Sequence, residues 1–99
     1  MGLPTYNFSE DLLESFIAAL IQQGIRVVPR SVVGCRHTYQ FRRGLGTVNF
    51  GSFIEKKGAS YTFNLVCSSN PLFWIFDMRL LSRVERILLA HGGSHWNPD

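Results

Sequence analysis

The sequence predicts an α+β protein: a two-layer sandwich in which an N-terminal and a C-terminal helix pack on one face of an antiparallel sheet of three or four strands. Two segments near the ends carry apolar residues at helical spacing, and the region between them alternates apolar with polar residues. Two apolar helical stripes need one apolar sheet face to bury against, which gives the order α-β-β-β-(β)-α. The 99 residues fit a single domain, 1–99, with residues 1–8 and 92–99 as flexible ends.

The first helix is predicted in the segment NFSEDLLESFIAALIQQG. Ser9 is a good N-cap residue, and Phe8 before it can pack onto Leu13 as a hydrophobic staple. Gly24 ends the pattern, as glycine commonly does after a last helical turn. The predicted apolar stripe consists of Leu12, Leu13, Phe16, Ile17, Leu20 and Ile21.

The second helix is predicted in the segment FDMRLLSRVERILLAHGG, which is built like the first. Asp77 is the predicted N-cap, Phe76 can pack onto Leu81, and the helix is expected to end at Gly92. The preceding NPLFWIF is open to three interpretations: a short strand, an extended crossover or an early helical turn. The predicted apolar face consists of Leu80, Leu81, Val84, Ile87 and Leu88.

Period-two alternation between the helices predicts strands with one face on the core and one face in solvent. The turns RGLG and EKKGA are polar and contain glycine. Residues 25–33 predict a further strand, which belongs at a sheet edge or is broken at Pro29 because proline lacks an amide donor. The predicted core-facing side chains are His37, Tyr39, Phe41, Val48, Phe50, Ile54, Tyr61, Phe63, Leu65 and Cys67.

The charge distribution points to an anionic partner. The net charge is only +3, but all ten Lys and Arg side chains lie within residues 24–93, where the acidic residues are Glu55, Asp77 and Glu85. All of these cations except Lys56 and Lys57 are arginine, whose planar fork matches phosphate and carboxylate geometry. The alternative is that the charge only keeps a basic small protein in solution.

The first candidate surface is the uncovered sheet face, which is edged by arginines and would suit a nucleic-acid backbone or an acidic protein. Phe53 is the only aromatic residue predicted there, whereas a base-stacking platform needs several. A plain solvated strand face is the alternative, since Thr, Asn and Gln tolerate solvent. The predicted members are Arg36, Thr38, Gln40, Arg42, Asn49, Phe53, Thr62 and Asn64.

The second candidate surface is the predicted hairpin tip at Arg42 and Arg43, with Lys56 and Lys57 on the next turn. Successive hairpins alternate between the ends of a sheet, so the two basic turns are expected at opposite ends. The GLG stretch lacks a third glycine and a following helix N-terminus, which indicates a hairpin turn rather than a phosphate-binding loop. A solvated turn is the alternative.

The third candidate surface is the outer side of the second helix, where Arg79, Arg83 and Arg86 recur at i, i+4 and i+7. Three arginines in line can follow a phosphate strand or an acidic partner, and an ordinary solvated helix face explains them equally well. Because the helices cover the other side of the sheet, these arginines are expected to lie opposite Arg42. One flat ligand could not then contact both sets.

No metal site or cofactor is expected, because the chain lacks a paired-cysteine motif. Ser and Cys nucleophile motifs are also absent from the sequence. A small basic ribonuclease that uses His37 or His95 with Glu55 is a less favoured hypothesis, since no local motif positions such a pair. The potential zinc ligands are Cys35, Cys67, His91 and His95.

A cytoplasmic protein that does not cross a membrane is expected. No apolar run approaches the roughly 18 residues that a membrane helix needs, and the N-terminus lacks the pattern of a secretory signal. Cys35 and Cys67 are interpreted as reduced thiols, because two cysteines are too few to staple a secreted mini-protein. The oligomeric state and the role of Trp96 stay open.

The order helix, strands, helix is similar to that of double-stranded-RNA-binding domains. Those domains carry a lysine cluster at the start of their last helix, where this chain has FDMRLLSR. The resemblance is therefore one of topology and does not supply a function.

The sequence supports two hypotheses of function. The leading hypothesis is a non-catalytic nucleic-acid-binding module that contacts phosphates through its arginines. The alternative is a small protein-binding regulator or inhibitor, of the kind that phages and mobile elements encode, acting on an acidic surface of a host nucleic-acid-handling complex. The candidate binding residues are Arg36, Gln40, Arg42, Arg43, Asn49, Phe53, Lys56, Lys57, Arg79, Arg83 and Arg86.

Overall fold

The computed structural model describes residues 5–31, 33, 36–57, 60–67 and 71–95, without the side chains of residues 36, 53–57 and 60–62. Both helices lie on one face of the sheet, where their apolar residues and the core-facing strand residues form one cluster. The elements are β1 Thr5–Ser9, a 3-10 turn Glu10–Leu12, α1 Leu13–Gln22, β2 Arg26–Arg30, β3 Arg36–Arg43, β4 Gly46–Lys57, β5 Ser60–Cys67, a 3-10 turn Pro71–Phe73, α2 Trp74–Ala90 and β6 Ser94–His95.

The sheet has six strands in the order β2-β3-β4-β5-β1-β6, and every neighbouring pair is antiparallel. The predicted α+β class with an antiparallel sheet and two helices is confirmed. The predicted count of three or four strands is too low, because β1 precedes the first helix and β6 follows the second. Because of these two strands, the observed order of elements begins and ends with a strand and not with a helix.

β1 corrects the prediction that residues 1–8 form a flexible end. It pairs with β5 from Thr5 opposite Asn64 to Ser9 opposite Ser60, and Tyr6 and Phe8 are almost completely buried. β6 pairs with the other side of β1, so residues 94–95 are also part of the sheet. The prediction is wrong for these residues because two buried aromatics in a short strand give only a weak alternation signal.

The start of α1 differs from the prediction. Ser9 stands at the N-cap of the 3-10 turn, but its side chain makes no capping hydrogen bond, and the α-helix itself begins at Leu13. Leu12 and Ile21, at the edges of the predicted stripe, are exposed. Only the middle of the predicted stripe is buried in the core. Its buried members are Leu13, Phe16 and Leu20.

Gly24 ends α1 as predicted, with a φ of 77° in the left-handed region where glycine is favoured. Its amide donates to the carbonyl of Ile21 at 3.0 Å. The next amide, of Ile25, donates to the carbonyl of Leu20 at 3.0 Å, which completes a Schellman motif. This tight turn leads directly into β2 and sets Arg26 opposite Arg42 of β3.

α2 begins at Trp74, so NPLFWIF contains a 3-10 turn followed by the first helical turn. The predicted N-cap is therefore wrong: Phe73 occupies the N-cap position and Asp77 lies inside the helix. Asp77 is fully buried, and its Oδ1 accepts a hydrogen bond of 2.8 Å from the backbone amide of Thr47. An acidic residue near a helix start resembles a cap in sequence even when its acceptor serves another element.

The core is rich in phenylalanine. Phe16 of α1 packs against Phe8, Phe41 and Phe50, with ring centroids 5.4, 6.0 and 5.6 Å apart. The Phe50 and Phe63 rings stack at 4.5 Å. The predicted core-facing positions are confirmed from Tyr39 onward where side chains are described, but not at His37, which lies at a register shift outside the core cluster. The α2 stripe is confirmed with Ile87 partly buried. Buried members from the strands and α2 are Phe41, Val48, Phe50, Phe63, Leu65, Leu80, Leu81, Val84 and Leu88.

β2 is an edge strand, as Pro29 predicts. The far end of its partner β3 is irregular, with a register shift between Arg36 and Tyr39. At this bulge His37 has a φ of 51°, and its Nε2 lies 2.8 Å from Glu10 Oε1. His37 is thus half-buried beside a carboxylate at the rim of the core.

Tyr6 links β1 to α2. Its ring is buried, and its hydroxyl donates a hydrogen bond to Glu85 Oε2. Burial, the hydrogen bond to Glu85 and the charge of that carboxylate all raise the pKa of Tyr6 above its usual range.

Substitution of Gly46 is expected to destabilise the protein. A Cβ there would lie 2.7 Å from the backbone oxygen of Phe76, so Gly46→Ala should lower the free energy of unfolding by about 1–3 kcal/mol. Gly51 of the same strand is the control, because its added Cβ would lie 3.6 Å from Thr38, an ordinary contact. Urea unfolding measures both, and equal effects of Gly46→Ala and Gly51→Ala would contradict this packing.

Alkaline pH is expected to destabilise the fold through Tyr6. The unfolded chain releases the phenolic proton near pH 10, whereas the raised pKa keeps it bound in the folded state, so stability falls as pH rises above about 10. Tyr6→Phe should cost about 1–3 kcal/mol at neutral pH and flatten this alkaline decline. Chemical unfolding from pH 7 to 11 measures it, and an unchanged decline in Tyr6→Phe would assign it to other groups.

Candidate functional site

The hairpin between β3 and β4 is the structural centre of the candidate site. Arg43 pairs with Gly46, and the two-residue turn between them begins at Gly44 with a φ of 57°. A positive φ at the first turn position fits a type II′ hairpin, so the turn interpretation of GLG agrees with the backbone. Thr47, next to the turn, is held by Asp77 of α2.

Two clefts flank this hairpin tip. The open-face cleft has a volume of about 570 Å³ and includes Arg26 and Arg42. The helix-side cleft has a volume of about 500 Å³ and includes Arg79 and Arg83. Arg43, Gly44 and Leu45 line both clefts. The tip is therefore a ridge between two basic depressions, and no described acidic side chain lines either one.

The open-face cleft continues onto the uncovered face of the sheet. Arg26 and Arg42 are direct cross-strand partners, and Arg30 lies further along the same face of β2. Arg30 Nη2 donates to Gln40 Oε1 at 2.8 Å, and Gln40 Nε2 donates to Asn49 Oδ1 at 3.3 Å. A chain of side-chain hydrogen bonds thus crosses three strands.

The set of predicted open-face residues omits Arg26 and Arg30. Both belong to β2, whose proline made its register with β3 uncertain from sequence. The pairing of Val28 with Gln40 places Arg26 and Arg30, two residues to either side, on the open face. Arg26 and Arg30 are four residues apart in IRVVPR and so share a face of the strand, but only the strand pairing shows that this is the open face.

The helix-side cleft brings together residues distant in sequence. Arg43 alternates with Arg42 along β3, so it lies on the helix face, where its Nη1 donates to the carbonyl of Gln23 at 3.3 Å. Arg79 and Arg83 reach the same cleft from α2. Arg86, the third predicted helix arginine, is exposed on α2 outside the cleft. The expected separation of Arg42 from the α2 arginines agrees with this layering.

Several predicted site residues lie elsewhere or outside what is described. β4 runs from Gly46 at the tip to Lys57, which pairs with Ser60, so the second basic turn is at the opposite end of the sheet, as expected. Cys35 and Trp96 lie outside the described residues. The backbones of the remaining positions belong to β3 and β4, but their side chains are not described: Arg36, Phe53, Lys56 and Lys57.

Apart from the buried Asp77, the described acidic side chains lie away from the hairpin tip. Glu10 follows β1 at the end of the sheet where Ser9 pairs with Ser60, far from the tip, and Asp11 and Glu14 belong to the same region. Glu85 accepts the hydrogen bond of Tyr6. Glu10, Asp11 and Glu14 therefore lie toward the end of the sheet opposite the hairpin tip, where the backbones of Lys56 and Lys57 also lie.

Asp77 lies buried beneath the tip. Its Oδ1 binds the Thr47 amide, and its Oδ2 has no hydrogen-bond partner among the described residues. Burial, and secondly the charge of Asp77, raise the pKa of the Cys67 thiol. Cys67 is a free thiol whose sulfur lies 3.7 Å from Met78 Sδ, a setting that disfavours the reactive thiolate.

An exposed apolar region at the start of α2 adjoins the helix-side cleft and is not among the predicted surfaces. The excess of apolar residues in NPLFWIF over what one helix stripe can bury is its sequence signal. Exposed side chains of the tip and the α2 start, with their exposed fractions, are Leu45 56%, Leu72 81%, Trp74 59%, Ile75 51%, Phe76 38% and Met78 41%.

The described residues contain neither a candidate metal site nor a candidate membrane-spanning helix. No group of three His, Cys, Asp or Glu side chains there could hold a metal ion. None of the described helices is long and apolar enough to cross a membrane. Each described histidine has a different neighbour: His37 lies beside Glu10, His91 Nδ1 is 3.3 Å from Ser15 Oγ, and His95 lies against the Tyr6 ring at 5.2 Å.

Comparison of the chain with protein-family models, curated proteins and solved structures gives no match. Function is therefore inferred from the arrangement of the side chains.

The contact between Asp77 and Thr47 is expected to stabilise the hairpin as a hydrogen bond and not through the negative charge. Asp77→Ala removes the acceptor of the Thr47 amide and should lower the free energy of unfolding by about 1–3 kcal/mol. Asp77→Asn keeps a carbonyl oxygen at that position and should cost less than about 1 kcal/mol. Urea unfolding at pH 7 compares them, and an Asn variant as unstable as the Ala variant would show that the charge itself is required.

Proposed function

We propose that this protein is a non-catalytic nucleic-acid-binding module that contacts phosphates through the arginines at the hairpin end of the open sheet face. The observation that supports this most strongly is the convergence of Arg26 and Arg42, from two strands, at one cleft. Arginine forks bind phosphate oxygens in a bidentate manner, and an uncovered sheet leaves room for an extended backbone.

The cross-strand pair of Arg26 and Arg42 supports an anionic ligand in particular. Like charges directly opposite each other on neighbouring strands destabilise a sheet. Neither guanidinium forms an ion pair with a carboxylate in the described part of the chain. A phosphate between the two side chains would remove their repulsion, so ligand binding and strand pairing favour the same arrangement.

The rest of the open face suits a sugar–phosphate backbone more than base edges. Gln40 accepts a hydrogen bond from Arg30 and donates one to Asn49, so these polar groups already have partners within the protein. Contacts from the protein to phosphates fix the position of a nucleic-acid backbone and carry little sequence information. Weak sequence preference is therefore part of the proposal, together with a cytoplasmic location, where Cys67 would stay reduced.

A second candidate function, a small protein-binding regulator, is favoured by the exposed apolar side chains beside the helix-side cleft. Nothing comparable favours a ribonuclease, because the described contacts of His37 and His95 are with Glu10 and Tyr6 on separate parts of the sheet.

Fluorescence anisotropy with labelled oligo(U) RNA, oligo(dT) and a mixed-sequence duplex tests the primary proposal. The double variant Arg26→Ala/Arg42→Ala should weaken binding by about tenfold or more at low salt. The slope of log affinity against log salt should become shallower by about 0.7–0.9 for each arginine removed.

Arg86→Ala is the matched control, because it removes an exposed charge on the other side of the molecule. Its affinity should stay within about twofold of the unchanged protein, since it contributes no phosphate contact. An absence of binding to all three probes at low salt would refute the proposal. Equal losses in the control and the double variant would refute the assignment to the open face.

A further inference from the structure

The surface beside the helix-side cleft combines exposed apolar groups with arginines. Leu72 of the 3-10 turn before α2 lies three residues before Ile75 and four before Phe76, so all three side chains are close together at the start of this helix. Arg79 and Arg83 follow Ile75 by one and two helical turns. Leu45 and Arg43 of the hairpin line the helix-side cleft together with Phe76, Arg79 and Arg83. We call these residues the apolar–arginine surface.

These apolar side chains are not an ordinary scatter. Single exposed apolar residues are common on proteins, whereas adjoining ones rimmed by charge mark an interaction surface. Ile75 is 51% exposed and Leu45 is 56% exposed, although the core beside them is tightly filled. The chain therefore leaves this area uncovered while it buries the other side of the same helix.

The hairpin side of this surface is held in place before any ligand arrives. Arg43 donates to the carbonyl of Gln23 at the end of α1, which fixes one arginine at the rim. Gly46 allows the tip to approach the backbone of Phe76, and Asp77 binds the strand beside it. A preformed surface loses less conformational entropy when a partner binds.

We infer that the apolar–arginine surface is a docking site for an acidic amphipathic segment of a protein partner, distinct from the nucleic-acid site on the open face. Apolar side chains of the partner would cover Leu45, Ile75 and Phe76. Its carboxylates would pair with Arg43, Arg79 and Arg83, where no described acidic side chain competes. Arginine and aromatic residues are also the types that dominate binding energy at protein interfaces.

The other possible occupants fit this surface less well. Nucleic-acid bases stack on platforms of several aromatic rings, and Phe76 is the one ring among the members of this surface. A two-fold dimer would bring the same surface of both copies together and so place two arginine-bearing surfaces against each other. An acidic segment has neither disadvantage.

Three labelled peptides of equal length test the inference. The first is a designed helix with Leu and Phe on one side and Glu on the other. The second has the same composition in an order that places the apolar residues all around the helix, and the third has Lys in place of Glu. Anisotropy titration should give the first peptide an affinity at least about tenfold higher than the other two.

Variants then locate the site. Arg79→Glu/Arg83→Glu should weaken the first peptide by about tenfold or more. Arg26→Glu/Arg30→Glu makes the same change in net charge on the open face and should leave its affinity within about twofold. Ile75→Ser should weaken binding of the first peptide. Leu89→Ser makes a similar change at an exposed position near the other end of α2 and should not weaken it. Circular dichroism confirms that each variant is folded.

Each contrary result overturns the inference. Equal affinity of the first two peptides would mean that binding depends on charge and not on an apolar helix face. Failure of the first peptide to bind would show that the surface does not bind acidic amphipathic segments. Equal losses in the two charge-reversal variants would place binding elsewhere. A concentration-dependent dimer in sedimentation that Ile75→Ser abolishes would assign the surface to a second copy of the chain. Loss of nucleic-acid binding in Arg79→Glu/Arg83→Glu, with the open-face variant unaffected, would assign it to nucleic acid.

Discussion

The contact between the β3–β4 hairpin and the first turn of α2 determines the geometry of every candidate surface. Gly46 lets the hairpin backbone meet the backbone of Phe76, and the Thr47 amide binds Asp77. Without this close approach, the arginines of the strand and of the helix would belong to separate surfaces. The same contact leaves Leu45 at the top of a ridge, with one cleft on each side.

Periodicity in the sequence is enough to predict the layers of this fold. Phe41, Val48 and Phe50 alternate with polar neighbours, and their burial follows because a strand turns successive side chains to opposite faces. β1 escapes prediction because its pairing depends on β5, far along the chain. Asp77 is misjudged because the sequence signal of a helix cap is the same as that of a buried acceptor for a neighbouring strand.

The candidate site is less predictable than the fold because it is made by contacts between elements. That Arg42 and Arg43 lie on different faces follows from the alternation, yet only the structure shows that Arg43 meets Arg79 and Arg83. The importance of Arg26 depends on the register between β2 and β3, which no local pattern fixes. Residues adjacent in sequence thus serve two different clefts, and the ligands proposed for them differ in kind.

The position of β1 in the sheet has a consequence for how the protein is made. β1 is the first described strand to leave the ribosome, but its partners are β5 and β6, near the end of the described chain. Tyr6 and Phe8 therefore stay unpaired until most of the protein has been synthesised, and such non-local pairing slows folding. The pairing of β3 with β4 joins residues that are close in sequence, so a nascent chain can form this hairpin before α2 is synthesised to hold its tip.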